Sequence, residues 1–163
     1  MNKICAAALI LSIALLTACA SQKPNERPPF PVEEYAQLQK AGTGKVTGQV
    51  FMKTVGGEVR FGAGSDVYLF PGTSYSDFWY QTNYVSQQPI VPPDPRQMQY
   101  TKIVQADGNG NFEFSDVPPG RYYISSTVIW QAPTQWGLAK QGGPVAKAAT
   151  VSNGSIARVI LTR

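Results

Sequence analysis

The chain contains no histidine, which excludes Ser-His nucleophile activation, imidazole metal ligation and histidine general bases. Cysteine occurs twice, as Cys5 and Cys19, so everything after position 19 lacks a thiol for a disulfide or a thiolate metal site. Charged residues make up only 15% of the sequence, and the net +4 is dispersed. No block of Lys and Arg forms the basic stripe that nucleic-acid binding needs. The longest apolar run, Ile4 to Leu16, is too short for a spanning helix of about 20 residues.

Glycine and proline are plentiful instead, at 15 and 13 residues, beside 43% hydrophobic residues. That mixture suits a turn-rich β domain better than a helical or disordered chain. The 163 residues allow one ordinary domain plus appendages.

The N-terminus reads as processed rather than folded. Met1-Asn2-Lys3 is a short basic start, Ile4 to Leu16 is rich in Ala, Leu and Ile, and Thr17 and Ala18 are small. The stretch LTAC at 16 to 19 resembles the lipobox of bacterial lipoprotein signal peptides. The resemblance implies a signal peptide over 1-18, cleavage before Cys19 and lipid on Cys19. Several acyl chains would anchor the protein stably where one would be marginal. Ala20, rather than Asp, after the lipidated Cys19 points to the outer membrane of a Gram-negative envelope.

Residues 19-43 then divide in two. ASQKPNERPPFP at 20 to 31 is polar and proline-rich, which predicts an extended, water-exposed spacer. VEEYAQLQKAG at 32 to 42 places Val32, Tyr35 and Leu38 at helical spacing, with Glu33 and Glu34 in the first turn and Gly42 as a stop. A short helix packed on the domain is expected, in preference to a partner-binding helix.

From 44 to 163 the period is mainly two. KVTGQVFM alternates Val46, Gly48 and Val50 with Thr47, Gln49 and Phe51, and predicts a strand. GGEVRFGAG contains a turn and a brief strand; SDVYLFPGT is a strand closed by Pro71-Gly72. MQYTKIVQA and NFEF alternate on either side of DGNGN, which predicts a β-hairpin whose turn tolerates positive φ. Asp107, Asn109 and Asn111 at every second residue also suggest calcium. The loop has one carboxylate and lacks the distal Glu of an EF-hand, so the turn is preferred and no metal site is assigned. Pro118-Pro119-Gly120 marks another turn before a strand from Arg121 toward Trp130, and Ser155 to Thr162 forms the last strand.

Two stretches break the pattern. Residues 74 to 100 carry Tyr75, Phe78, Trp79, Tyr80 and Tyr84, followed by the prolines of QQPIVPPDPRQ. Such a cluster is more often core or lid than a binding platform. The segment 131 to 145, QAPTQWGLAKQGGPV, reads as a second irregular connection whose Trp136 could reach those aromatics.

KVTGQVF, DVYLFPGT, ADGNGNFEFSDVPPGRYYI and VSNGSIARVILT together resemble the carboxypeptidase regulatory-like domains, a transthyretin-like family. The resemblance implies a transthyretin-like β-sandwich over most of 44-163, from which 74 to 100 and 131 to 145 depart; with the alternating segments, the expected fold is an all-β, antiparallel β-sandwich of six or seven strands, with the short N-terminal helix and an irregular insertion beside it. The resemblance also implies a domain that accompanies other proteins and is not itself catalytic. Collagen-adhesin B-type domains share this sandwich and carry a Lys-to-Asn isopeptide bond, for which Lys45 or Lys53 and Asn153 are candidates. Ser126 stands where that chemistry expects a buried Glu, so the bond is not expected.

The carboxylates are scattered over predicted turns and the spacer, and no catalytic residue or cofactor is assigned. Two functions stay open. One is a non-catalytic envelope lipoprotein that binds or braces another protein; the other is a carbohydrate-binding module, with polysaccharide stacking on Trp79, Tyr80, Trp130 or Trp136. A sugar platform needs aromatics that are coplanar and face solvent, whereas core aromatics are buried.

Overall fold

The computed structural model describes residues 23 to 163. The expected signal peptide, 1-18, and Cys19, the expected lipidation site, lie outside the described residues. The chain forms an all-β sandwich of two four-stranded sheets, with small helical pieces before and between strands.

Alternation builds the first sheet. In β1 (Gly44–Lys53) Val46 and Val50 are fully buried while Lys45 is exposed. β1 pairs antiparallel with β5 (Asn111–Val117) and, near its end, with β2 (Val59–Phe61). Its pairing with β8 (Ile156–Leu161) is parallel, the one exception to the expected antiparallel arrangement. The second sheet runs β4 (Lys102–Gln105), β3 (Asp66–Pro71), β6 (Gly120–Thr134), β7 (Gly137–Val151).

β7 is the strand the sequence did not announce. Residues 131 to 145 are not an irregular connection; β6 and β7, each 15 residues long, stay in register from Gly120↔Val151 to Thr134↔Gly137. Glycines and Pro144 disguise a strand whose partner supplies the order. The two-residue turn Gln135-Trp136 and the positive φ of 112° at Gly137 close the hairpin.

The expected hairpin at DGNGN also needs correcting. β4 and β5 belong to different sheets, so the turn carries the chain from one layer to the other. Its local chemistry is as read: Asp107 Oδ1 accepts from the backbone N of Asn109 and of Asn111 at 2.8 Å each, and Gly110 takes φ 77°. Asn111 Nδ2 donates to Asp107 Oδ2 at 3.0 Å, so these side chains hold one another rather than converging as oxygen ligands. Pro118 to Gly120 make the return crossing, where the buried Tyr122 hydroxyl donates to Pro118 O at 3.0 Å. Lys45 Nζ is paired with Glu113 at 2.8 Å and Asn153 Oδ1 accepts from Thr43 N at 3.2 Å; each has a partner other than the isopeptide one.

Between the sheets lie Val46, Val50, Val67, Leu69, Phe112, Phe114, Val117, Ile124, Val128, Val145, Val151, Val159 and Leu161. Each such side chain contributes about 1.5–3 kcal/mol relative to exposure. Gly48 sits where β1 and β8 come closest: a Cβ there would lie 1.9 Å from Val159 O and 2.7 Å from the Phe112 ring.

The N-terminal segment is not a free spacer. Asn25 bridges to Ile90, and the Phe30 ring stacks on Tyr35 at 4.4 Å and meets Tyr75 edge-on at 5.6 Å. The expected helix is one turn, α1 (Val32–Ala36), whose Tyr35 is 1% exposed. Prolines set an extended backbone, and Phe30 supplies the reason to dock it.

Three stability measurements check this account. In denaturant unfolding, Phe114→Ala costs about 3–5 kcal/mol as a cavity forms. Gly48→Ala costs about 3 kcal/mol, since its methyl must force β8 away from β1. The Asp107 carboxyl is held below its ordinary range, first by the Asn111 side chain and then by backbone N–H groups. A depressed carboxylate stabilises above its unfolded pKa and loses that contribution as pH falls through the folded value. Asp107→Ala should therefore melt below wild type at neutral pH, with the gap closing in acid.

Candidate functional site

β3 and β6 bear apolar side chains on both faces. Val67 and Leu69 point into the sandwich, while Tyr68 and Phe70 point outward, and Tyr123 lies on that same outer side of β6. A sheet with two apolar faces requires a cover on each. Residues 72 to 101 supply the second cover through α2 (Ser74–Trp79), a π-helical turn Tyr80–Val85 and a 3₁₀ helix Pro95–Tyr100.

Capping fixes α2. The Thr73 hydroxyl accepts from Ser76 N at 3.3 Å, and Ser76 Oγ accepts from Thr73 N at 2.8 Å, a reciprocal box. Glu34 of α1 accepts from Ser74 N at 2.9 Å and from its hydroxyl at 2.6 Å. Asp77 then anchors the helix to β6, accepting from Arg121 Nη2 and from the Tyr123 hydroxyl at 2.7 Å each. The Arg121 guanidinium holds the Asp77 carboxyl below its ordinary value, while burial pushes the Tyr123 phenol up.

Of the four candidate aromatics, Trp79 and Tyr80 sit in this lid. Trp79 meets Phe70 edge-on at 5.2 Å, and Tyr80 stacks on Tyr123 at 4.6 Å. Their planes differ by 56°, so the pair is not one flat platform. Both are half-buried. Trp130 lies elsewhere, half-buried at the end of the core and covering Gly142, where a Cβ would come within 2.8 Å of the indole. Trp136 stands at the β6–β7 turn, 90% exposed. It does not reach the 74 to 84 aromatics: among the described residues no ring pairs with it, because 131 to 145 extends as a ribbon instead of folding back.

The lid leaves part of the outer face open. A groove of about 410 Å³ runs over Tyr68, Phe70 and Ser125, with Trp79 on one side and Pro93, Asp94, Gln97 and Met98 on the other. Arg27 lines it too, its Nε donating to Val91 O at 2.8 Å and its guanidinium lying 5.2 Å over the Tyr75 ring. Burial lowers the pKa of that guanidinium. Its Nη1 is buried without a hydrogen-bond partner among the described residues. Asp94 caps the 3₁₀ helix and takes a two-pronged contact from Arg96 at 2.9 and 2.7 Å, which holds its carboxyl down at about 2. Asp94 thus presents a neutralised rim rather than a free base.

This lining offers aromatic faces for the C–H side of a ring and amide, hydroxyl and carboxylate groups for its polar edge. Sequence reasoning found Trp79 and missed its companions. Arg27 lay in a presumed spacer, and Ser125, Gln97 and Met98 carry no signal. Tyr68 was detectable, because it alternates with Val67 and Leu69 and so had to face away from the core.

No family model matches the chain, and no curated protein matches it. Among solved structures it is similar to one from Pseudomonas aeruginosa described as a "putative carbohydrate binding protein", with 35% sequence identity over 84% of this chain and 99% of that chain and a TM-score of 0.75. With that identity over almost the whole of the other protein, this chain belongs to the same family as the Pseudomonas aeruginosa protein.

Proposed function

We propose that the protein is a non-catalytic carbohydrate-binding module tethered in the bacterial envelope through Cys19, and that it binds saccharide in the groove beside Trp79. The observation that carries this reading is the groove itself: indole and phenol faces on a rigid sheet floor, with Gln97, Ser125 and the Asp94 to Arg96 pair at the rim. The description of the Pseudomonas aeruginosa relative supports it. The resemblance of LTAC at 16 to 19 to a lipobox, and of KVTGQVF, DVYLFPGT, ADGNGNFEFSDVPPGRYYI and VSNGSIARVILT to the carboxypeptidase regulatory-like domains, supports an anchored domain of that kind.

A second reading, protein docking, is favoured by β8. Among the described residues it pairs only with β1, and Ile156 and Ile160 on its outer side are 56% and 55% exposed. Crosslinking in envelope fractions would recover a partner, and Ile156→Lys with Ile160→Lys would abolish that capture.

A glycan array followed by calorimetric titration tests saccharide binding. Trp79→Ala and Tyr68→Ala should each weaken binding about tenfold or more, with Trp136→Ala unchanged. Absence of any glycan or polysaccharide binding, or indifference to Trp79→Ala, contradicts the reading. The anchor has its own check. Cys19→Ala should abolish acylation and with it partition into the detergent phase, and a variant that stayed acylated would contradict it.

A further inference from the structure

Beyond Ser125 the β6–β7 ribbon lines no part of the groove. The β3–β6 ladder ends at Tyr68↔Ser125, while β6 and β7 continue together to Thr134↔Gly137. The eight residue steps from Val128 to Trp136 reach about 25 Å. At the apex Trp136 is 90% exposed, Leu138 beside it 69%, and Ile129 lower down 48%. The apex is held in this shape: the Thr134 hydroxyl donates to Gly137 O at 2.7 Å and accepts from Trp136 N at 3.2 Å. Indole and leucine therefore stand in water on a braced turn, at a cost in exposed apolar area that a monomeric surface usually avoids.

Charge says what would cover them. Lys140 is the one charged residue on the projecting part of the ribbon, from Val128 to Gly143, which carries no Asp or Glu. An apolar tip with a cation set back from it and no carboxylate suits a bilayer interface with anionic headgroups. Trp and Leu enter the boundary region, and lysine stays with the headgroups. We propose that the Trp136 tip is a membrane-interface wedge for anionic bilayers, a second contact beside the lipid anchor. The proposal takes its location from the proposed anchor. The six residue steps from Cys19 to Asn25 span at most roughly 20 Å, comparable with the reach of the ribbon.

The test removes the anchor, so the wedge stands or falls alone. The mature chain from residue 19, carrying Cys19→Ser, is sedimented with vesicles of phosphatidylethanolamine containing a minority of phosphatidylglycerol, and with phosphatidylcholine vesicles. The protein should pellet with the anionic vesicles. Trp136→Ala with Leu138→Ser should reduce that partition about tenfold or more, and Lys140→Glu about fivefold. All three positions are exposed, so circular dichroism should be unchanged. Failure to pellet with either vesicle, or binding indifferent to the Trp136 and Leu138 changes, overturns the proposal. So does a concentration-dependent dimer, without vesicle binding, that Trp136→Ala abolishes; the tip would then belong to a second copy. None of these outcomes bears on saccharide binding in the groove.

Discussion

The requirement to bury both faces of one sheet organises this molecule. β3 and β6 present Val67, Leu69, Tyr122 and Ile124 to the sandwich core, and Phe70 and Tyr123 to the opposite side. Leaving two large rings in water would forfeit several kcal/mol of apolar burial, on the order of 1.5–3 kcal/mol each. The chain meets that demand with the insertion after Pro71 and with the docked N-terminal segment. Thr73 caps α2, Glu34 joins α1 to it, and Asp77 ties the cover to the sheet through Arg121. The groove is the part of the outer face that the cover leaves open, which is why its floor is rigid and aromatic.

The same logic separates what the sequence made legible from what it hid. KVTGQVFM alternates cleanly because β1 has one core face, and the strand was readable. VYLF and YYI are continuous apolar runs, the mark of strands covered on both faces, a signal that their period-two reading as simple strands leaves unused. The choice of sheet partner was not readable: DGNGN specifies a tight turn through Asp107, but whether the following strand joins the same sheet depends on distant core contacts. The parallel β1–β8 pairing escaped for that reason. β7 escaped because Gly142, Gly143 and Pro144 look like loop residues until β6 lies beside them.

Of the site, Trp79 was legible as an aromatic in an insertion, and Trp136 was legible only as a tryptophan. Their separation is a consequence of backbone length, since two paired strands of 15 residues must project beyond a β3 of 6 residues. The molecule therefore offers two unlike surfaces: a half-enclosed aromatic groove with polar edges, and an exposed tip with Lys140 set back from it. Distinct chemistry at the two places favours distinct ligands over one extended site.

The most direct measurement of the central claim is a map of backbone amide shifts as a saccharide is titrated into the isotopically labelled domain. The account predicts perturbations concentrated at Tyr68, Phe70, Trp79, Asp94 to Met98 and Ser125, around the groove. Perturbations centred on Trp136 or on the outer side of β8, with the groove silent, would contradict it.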